Sequence, residues 1–87
     1  MNIHRFDRPV SIALGPAGNK LHVVSNIKQA EEVLLKRWPK EAGSKHLAAC
    51  QAVQAVLKGR RKAVFARIAF ADAAREAAIL IDDGDAQ

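Results

Sequence analysis

The sequence predicts an α+β domain in which an N-terminal β-hairpin is followed by three α-helices. Two alternating apolar segments, at residues 9–14 and 20–24, predict the two strands of the hairpin. Three segments with helical apolar spacing follow, and Pro39 and Gly59 separate them. A chain of 87 residues can bury one modest core, so we expect a single domain over residues 1–87.

The hairpin is predicted from side-chain alternation and from the composition of its loop. Val10, Ile12 and Leu14 share one face of the first strand. Residues 15–19 contain two glycines and a proline, which suit a hairpin loop. The polar residues 1–7 are expected to form a flexible lead-in to this hairpin.

The first two helices have recognisable start and stop signals. Ser25 is the predicted N-cap of a helix that begins at Asn26, and Pro39 ends that helix. Ser44 is the predicted cap of the second helix, which Gly59 closes.

The third predicted helix begins near Arg61 and is apolar over most of its circumference, so it belongs at the centre of the fold or in an oligomer interface. Residues 79–81, Ile-Leu-Ile, fit either its last turn or a short C-terminal strand, and we favour the turn. Two strands alone are marginally stable. The hairpin must therefore be covered by helices, extended by residues 79–81, or paired with a second subunit.

The charge distribution favours anionic partners. Net charge is +5, and the predicted flexible tail at residues 82–87 holds three of the nine acidic residues. The remaining chain carries 14 basic and six acidic residues, an excess that attracts anions at long range. The lone cysteine, Cys50, fits a reducing compartment. With no signal peptide and no membrane-length apolar run, we expect a cytoplasmic protein without membrane association.

No motif predicts catalysis, a metal or a cofactor. Cys50 lies on the apolar face of the second helix, where a thiol is usually inert packing. His4, His22 and His46 lack the i,i+4 spacing that places two imidazoles on one helical face. We therefore expect a protein that is not an enzyme.

One cluster of charges on the third helix allows two interpretations. Asp72 and Glu76 are four residues apart, Arg75 lies beside them, and Arg67 lies one or two turns earlier. Like charges at this spacing repel unless a cation neutralises them. An ion-pair cluster is the favoured interpretation, and a functional carboxylate with a shifted pKa is the alternative.

A basic junction between the second and third helices is the best candidate binding site. Its cations are Lys58, Arg60, Arg61 and Lys62. Arg61 and Lys62 stand at a helix N-terminus, where the helix dipole disfavours cations and unpaired backbone N–H groups can bind an anion. The alternative is a solvated turn. Trp38, the only tryptophan, is expected in the core, with partner recognition as its alternative role.

The order of several short segments resembles the DUF982 family of small bacterial proteins of unknown function. The matching segments run along nearly the whole chain: Phe6 with Pro9-Val10, Ala30 with Leu34-Leu35 before Trp38-Pro39, Gly43, Ala49-Cys50, Leu57-x-Gly59, Ala66-Arg67-x-Ala69-Phe70 and Ala73-Ala74-x-Glu76-Ala77. The resemblance implies a complete domain in a bacterial cytoplasm. It implies no activity, cofactor or partner.

Three functions follow in order of preference. The first is a non-enzymatic binding or protein-interaction module able to self-associate, for example as a homodimer. The alternative is a nucleic-acid or phosphate-ligand binder that uses residues 58–62. A small enzyme built on Arg67, Asp72 and Glu76 ranks last.

Overall fold

The computed structural model describes residues 5–14, 20–38 and 43–82. The predicted class, α+β with a hairpin ahead of three helices, is confirmed. The predicted loop at 15–19 and the helix stop at Pro39 lie outside the described residues. The elements, in chain order, are β1 (Arg5–Leu14), β2 (Lys20–Asn26), α1 (Ile27–Lys36), α2 (Ser44–Leu57), α3 (Ala63–Glu76) and β3 (Leu80–Asp82).

The three strands form an antiparallel sheet in the order β2-β1-β3. Strand β1 begins at Arg5, so the predicted lead-in is wrong for residues 5–7. Arg5 pairs with Asn26 and Val10 with Val24, which leaves residues 6–9 of β1 in a wide bulge. The bulge accommodates Pro9, which has no N–H for the strand ladder.

The C-terminal segment supplies the third strand, so the favoured helical turn at residues 79–81 is wrong. Helix α3 ends at Glu76, and the chain reverses through Ala78 at φ 61°. The Ala13 N–H then donates to the Ile79 carbonyl at 2.8 Å, and Leu80 pairs with Ile12. The hairpin is extended by its own chain.

The helices cover one face of the sheet. Val10, Ile12 and Val24 are fully buried on that face, and Phe70 of α3 is fully buried against the same core. Of the two positions predicted for the third helix, the centre of the fold is the one observed, since α3 buries Ala66, Arg67, Phe70, Ala71, Ala73 and Ala74. Its small alanines allow close packing against neighbouring elements.

The opposite face of the sheet is open. Leu21 and Val23 of β2 and Ile81 of β3 are exposed by 65%, 46% and 57%. Between them, β1 contributes only the small side chains Ser11 and Ala13, which pair across the ladder with Val23 and Leu21. We refer to these five residues as the open sheet face.

The N-termini of α1 and α2 differ from the predicted ones by one residue, and α3 begins at Ala63, two residues after the predicted start near Arg61. Asn26, not Ser25, caps α1, because its Oδ1 accepts from the Gln29 N–H at 2.8 Å. The Gln29 side chain in turn accepts from the Ser25 N–H at 2.8 Å. Gly43 is the N-cap of α2, and Ser44 is its first helical residue with no capping bond.

The helices of the described residues are short. The longest, α2 and α3, contain 14 residues each, fewer than a bilayer crossing requires.

Candidate functional site

The basic junction follows a helix end whose backbone geometry is closely determined. Lys58 is the C-cap of α2, and Gly59 has φ 77°, as its predicted role as a C-terminal glycine requires. The Gly59 N–H donates to the Val56 carbonyl at 3.0 Å, and the Arg60 N–H donates to the Ala55 carbonyl at 2.8 Å. These two bonds form a Schellman motif, which directs the chain from α2 toward α3.

All four cations of the junction are exposed. Lys62 is the N-cap of α3 and makes no side-chain capping bond. The Arg61 guanidinium lies 5.3 Å from the centre of the Phe65 ring, a cation–π contact. Among the described residues, no carboxylate pairs with Lys58, Arg60, Arg61 or Lys62. The junction therefore presents uncompensated positive charge to solvent.

An apolar groove adjoins the junction between α2 and α3. It encloses about 420 Å³. Phe65 and Arg61 form one side, and the remaining lining is mostly small: Ala48, Ala52, Ala55 and Ala69. We call this groove, together with the neighbouring Ile68 and the four cations of the junction, the α2–α3 surface.

Phe65 and Ile68 are the residues of this surface that sequence reasoning missed. Each is 47% exposed, although the sequence predicts that the third helix, which contains both, is buried at the centre of the fold or in an oligomer interface. The available signal was the spacing from Arg61 to Phe65, four residues, which places the two side chains on one helical face.

The structure divides the predicted ion-pair cluster into separate contacts. Arg75 pairs with Asp72 at 3.0 Å on the protein surface. Arg67 is instead buried, 7% exposed, and its Nε donates to Asp7 Oδ1 at 2.8 Å. Residues 67 and 72 are about 140° apart around a helix, so they face different neighbours.

Glu76, the last residue of α3, lies beside the N-terminus of α2. Its carboxylate fills the space beside Gly43. A Cβ atom added at Gly43 would lie only 2.8 Å from the Glu76 Oε1. A negative charge at a helix N-terminus is favourable. Asp72 and Glu76 line one surface depression together with Lys45 and Arg75, so Arg67 is the member of the predicted cluster that lies apart.

Trp38 and His46 join the end of α1 to the start of α2. The Trp38 ring is half-buried, 6.0 Å from the Phe70 ring and 5.3 Å from His46. The His46 Nε2–H donates to the Leu34 carbonyl at 2.8 Å, which satisfies an acceptor in the last turn of α1. These contacts agree with the predicted core role of Trp38.

Cys50 lies one turn after His46, with its Sγ 3.9 Å from both ring nitrogens. Burial raises the pKa of the Cys50 thiol, so it is protonated at neutral pH and is a weak nucleophile. Within the described ranges, no three His, Cys, Asp or Glu side chains converge in a way that could hold a metal ion.

Comparison with known proteins identifies a family and a similar structure. The family described as "Protein of unknown function (DUF982)" matches residues 8–81. The NMR structure of the Agrobacterium tumefaciens protein Atu1219 is 28% identical, with a TM-score of 0.75. That match covers 99% of this chain and 83% of Atu1219. No curated protein matches the chain.

Proposed function

The chain belongs to the DUF982 family of proteins of unknown function, and we propose that it is a non-enzymatic protein-interaction module of the bacterial cytoplasm. The observation that carries the proposal is the α2–α3 surface. There, Phe65 and Ile68 are each 47% exposed beside four exposed cations.

The composition of this surface is typical of a binding site. Aromatic and arginine side chains are enriched among the residues that dominate interface energies. Phe65 and Arg61 contact each other, so a partner that covers the ring also approaches the guanidinium. The uncompensated charge favours an anionic partner.

The proposal is tested by proximity labelling in the native bacterium with the full chain as bait. We expect Phe65→Ser and Arg61→Glu to lose a labelled partner that the wild type retains. Leu35→Ser is the matched control, because Leu35 is 63% exposed on α1, away from this surface. An identical set of labelled proteins for all four baits would contradict the proposal.

Self-association belongs to this proposal as a weak, concentration-dependent property. The chain itself supplies the third strand and buries one side of α3, so neither feature requires a second subunit. The support that remains is the open sheet face. This face has five residues, whereas a stable interface takes roughly 20–30 residues per partner, so light scattering should show dimers only near millimolar concentration. A strict monomer there would remove self-association.

A nucleic-acid or phosphate-ligand binder is the second candidate. It is favoured by the exposure of Lys58, Arg60, Arg61 and Lys62 beside the N-terminus of α3. The Phe65 N–H there bonds the Lys62 carbonyl at 3.1 Å, and the helical N–H groups before it have no intrahelical acceptor. Its affinity should fall by about 0.9 log unit per log unit of salt for each duplex phosphate contacted. Unchanged fluorescence anisotropy of labelled DNA and RNA at low salt would eliminate this candidate.

A further inference from the structure

We propose that the α2–α3 surface binds an amphipathic helix of a partner protein, with acidic residues at the end of that helix that meets the basic junction. This inference rests on the proposed interaction function and specifies the class of partner.

The shape of the surface favours a helix over an extended segment. Both walls are helices, so their backbone groups are already bonded and offer no open edge to which a strand could add. Polyproline recognition uses grooves lined with several aromatic rings, and Phe65 is the single aromatic residue of this lining.

The dimensions of the groove also suit a helix. The groove is lined by residues 48–55 of α2 and extends along α3 to Ala69, so it is about two helical turns, or roughly 11 Å, long. The alanines on both walls permit close approach of a third helix axis, within the usual 8–10 Å. A volume of about 420 Å³ accommodates apolar side chains from successive turns of one helical face.

The charges specify the end at which the acidic residues lie. At the junction end, Arg61 lines the groove, and Lys58 and Arg60 line a smaller adjoining depression; neither has a carboxylate among its described lining residues. At the opposite end, Lys45 and Arg75 lie beside Asp72 and Glu76, so the net charge there is close to zero. Acidic residues on the partner helix therefore gain most at the junction end.

The apolar character of the groove argues against nucleic acid as its occupant. A phosphate backbone could contact the cations but would leave Phe65 and Ile68 without an apolar partner. An amphipathic helix satisfies both parts of the surface at once.

The test uses the full 15N-labelled chain and a synthetic helical peptide of about 14 residues. The peptide carries leucines at i, i+3, i+4 and i+7 and three glutamates at one end. One control peptide has the glutamates replaced by lysine, and another has a central proline that breaks the helix.

We expect chemical-shift changes concentrated at Ala52, Ala55, Phe65 and Ala69. Phe65→Ala should weaken the peptide affinity at least about tenfold. Arg61→Gln should weaken it several-fold and reduce its salt dependence. Leu35→Ala should leave the affinity unchanged, and the spectra show directly that each variant is folded.

Three results would overturn the inference. Equal binding of the proline-containing peptide would show that the partner is extended. Shift changes on the open sheet face would show that the wrong surface had been chosen. The third result combines two experiments: no shift change at about millimolar peptide, and proximity labelling in the cell that still depends on Phe65. It would show that the protein binds a partner through this surface but that the partner does not present a helix. Loss of the labelling as well would remove both.

Discussion

At the scale of single residues, Ala78 holds a backbone conformation that favours glycine. Its φ is 61°, and it follows α3 in a Schellman motif completed by the Ile79 N–H, which donates to the Ala74 carbonyl at 2.9 Å. We expect Ala78→Gly to raise the free energy of unfolding by about 0.5–1 kcal/mol, because relief of left-handed strain outweighs the added unfolded-state entropy. Urea unfolding followed by circular dichroism measures the change.

Ala48→Gly is the matched control for this substitution. Ala48 is exposed within α2, where glycine should lower the free energy of unfolding by about 1 kcal/mol. Opposite signs for the same chemical change would identify the left-handed geometry at Ala78 as the cause. A loss of stability in both variants would contradict the assignment.

Cys50 should contribute a pH dependence to stability. Burial raises the pKa of its thiol above the ordinary value of 9.0. As pH rises past that value, the unfolded chain releases the thiol proton first, so the folded state binds more protons and stability falls. The contribution is complete below pH 9.0 and is lost as pH rises through the folded pKa.

Cys50→Ala should therefore flatten the decline in the free energy of unfolding between neutral and alkaline pH, whatever its effect on stability at pH 7. Urea unfolding of the wild type and the variant, each at neutral and at alkaline pH, measures how steeply the free energy of unfolding falls with pH in the two proteins. Identical slopes would show that the thiol has the same pKa in both states.

At the scale of elements, the N-termini of α1 and α2 provide a direct comparison, because only α1 has a side-chain cap. Asn26 accepts the Gln29 N–H at the start of α1, whereas Ser44 makes no capping bond in α2. We expect Asn26→Ala to cost about 1 kcal/mol of stability and Ser44→Ala less than about half of that. Thermal unfolding of the two variants measures both costs. Equal losses of stability in the two variants would mean that Ser44 caps α2, as the sequence predicts.

The differences between the predicted and observed N-caps show which helix and strand boundaries can be predicted from a sequence. Ser25 and Asn26 are adjacent and have similar capping preferences, so composition alone cannot choose between them. The C-terminal strand at residues 79–81 is one of two alternatives that the sequence predicts, and it is the less favoured one for a related reason. Ala78 carries no sequence signal for a left-handed residue, and three apolar residues after it show no usable periodicity. Gly59, which does carry the signal, was placed correctly.

At the scale of the whole molecule, local features of the site were predictable and tertiary ones were not. The basic junction is contiguous in sequence, so its four cations could be grouped without a structure. The exposure of Phe65 and the burial of Arg67 depend on which sectors of α3 the other elements cover. An apolar helix does not specify those sectors, because most of its faces are equally suited to burial.

The pair Asp7 and Arg67 joins the β1 bulge to α3 across 60 residues of sequence. The side chains of Asp7 and Asp72 are similarly exposed, by 49% and 43%, so the two pairs differ in the arginine: the Arg67 side chain is 9% exposed and that of Arg75 is 59% exposed. Low exposure strengthens a charge-assisted bond, and leaving a guanidinium buried without its carboxylate is costly. We expect a double-mutant cycle of Asp7→Ala and Arg67→Ala to give a coupling energy above about 1 kcal/mol. The Asp72→Ala and Arg75→Ala cycle should give about 0.5 kcal/mol or less.

Urea unfolding of the seven proteins, the shared wild type and three variants per cycle, measures both cycles, and other contacts of either arginine cancel within its cycle. Salt provides an independent check, because only the surface pair should weaken strongly between low and 1 M salt. Similar coupling in the two cycles would mean that the bulge is held by the packing of Phe6, which is 5% exposed, and not by this ion pair. A larger coupling for Asp7 and Arg67 would explain why the wide bulge is retained in β1, since residues 6–9 place both Phe6 and Asp7 against the rest of the fold.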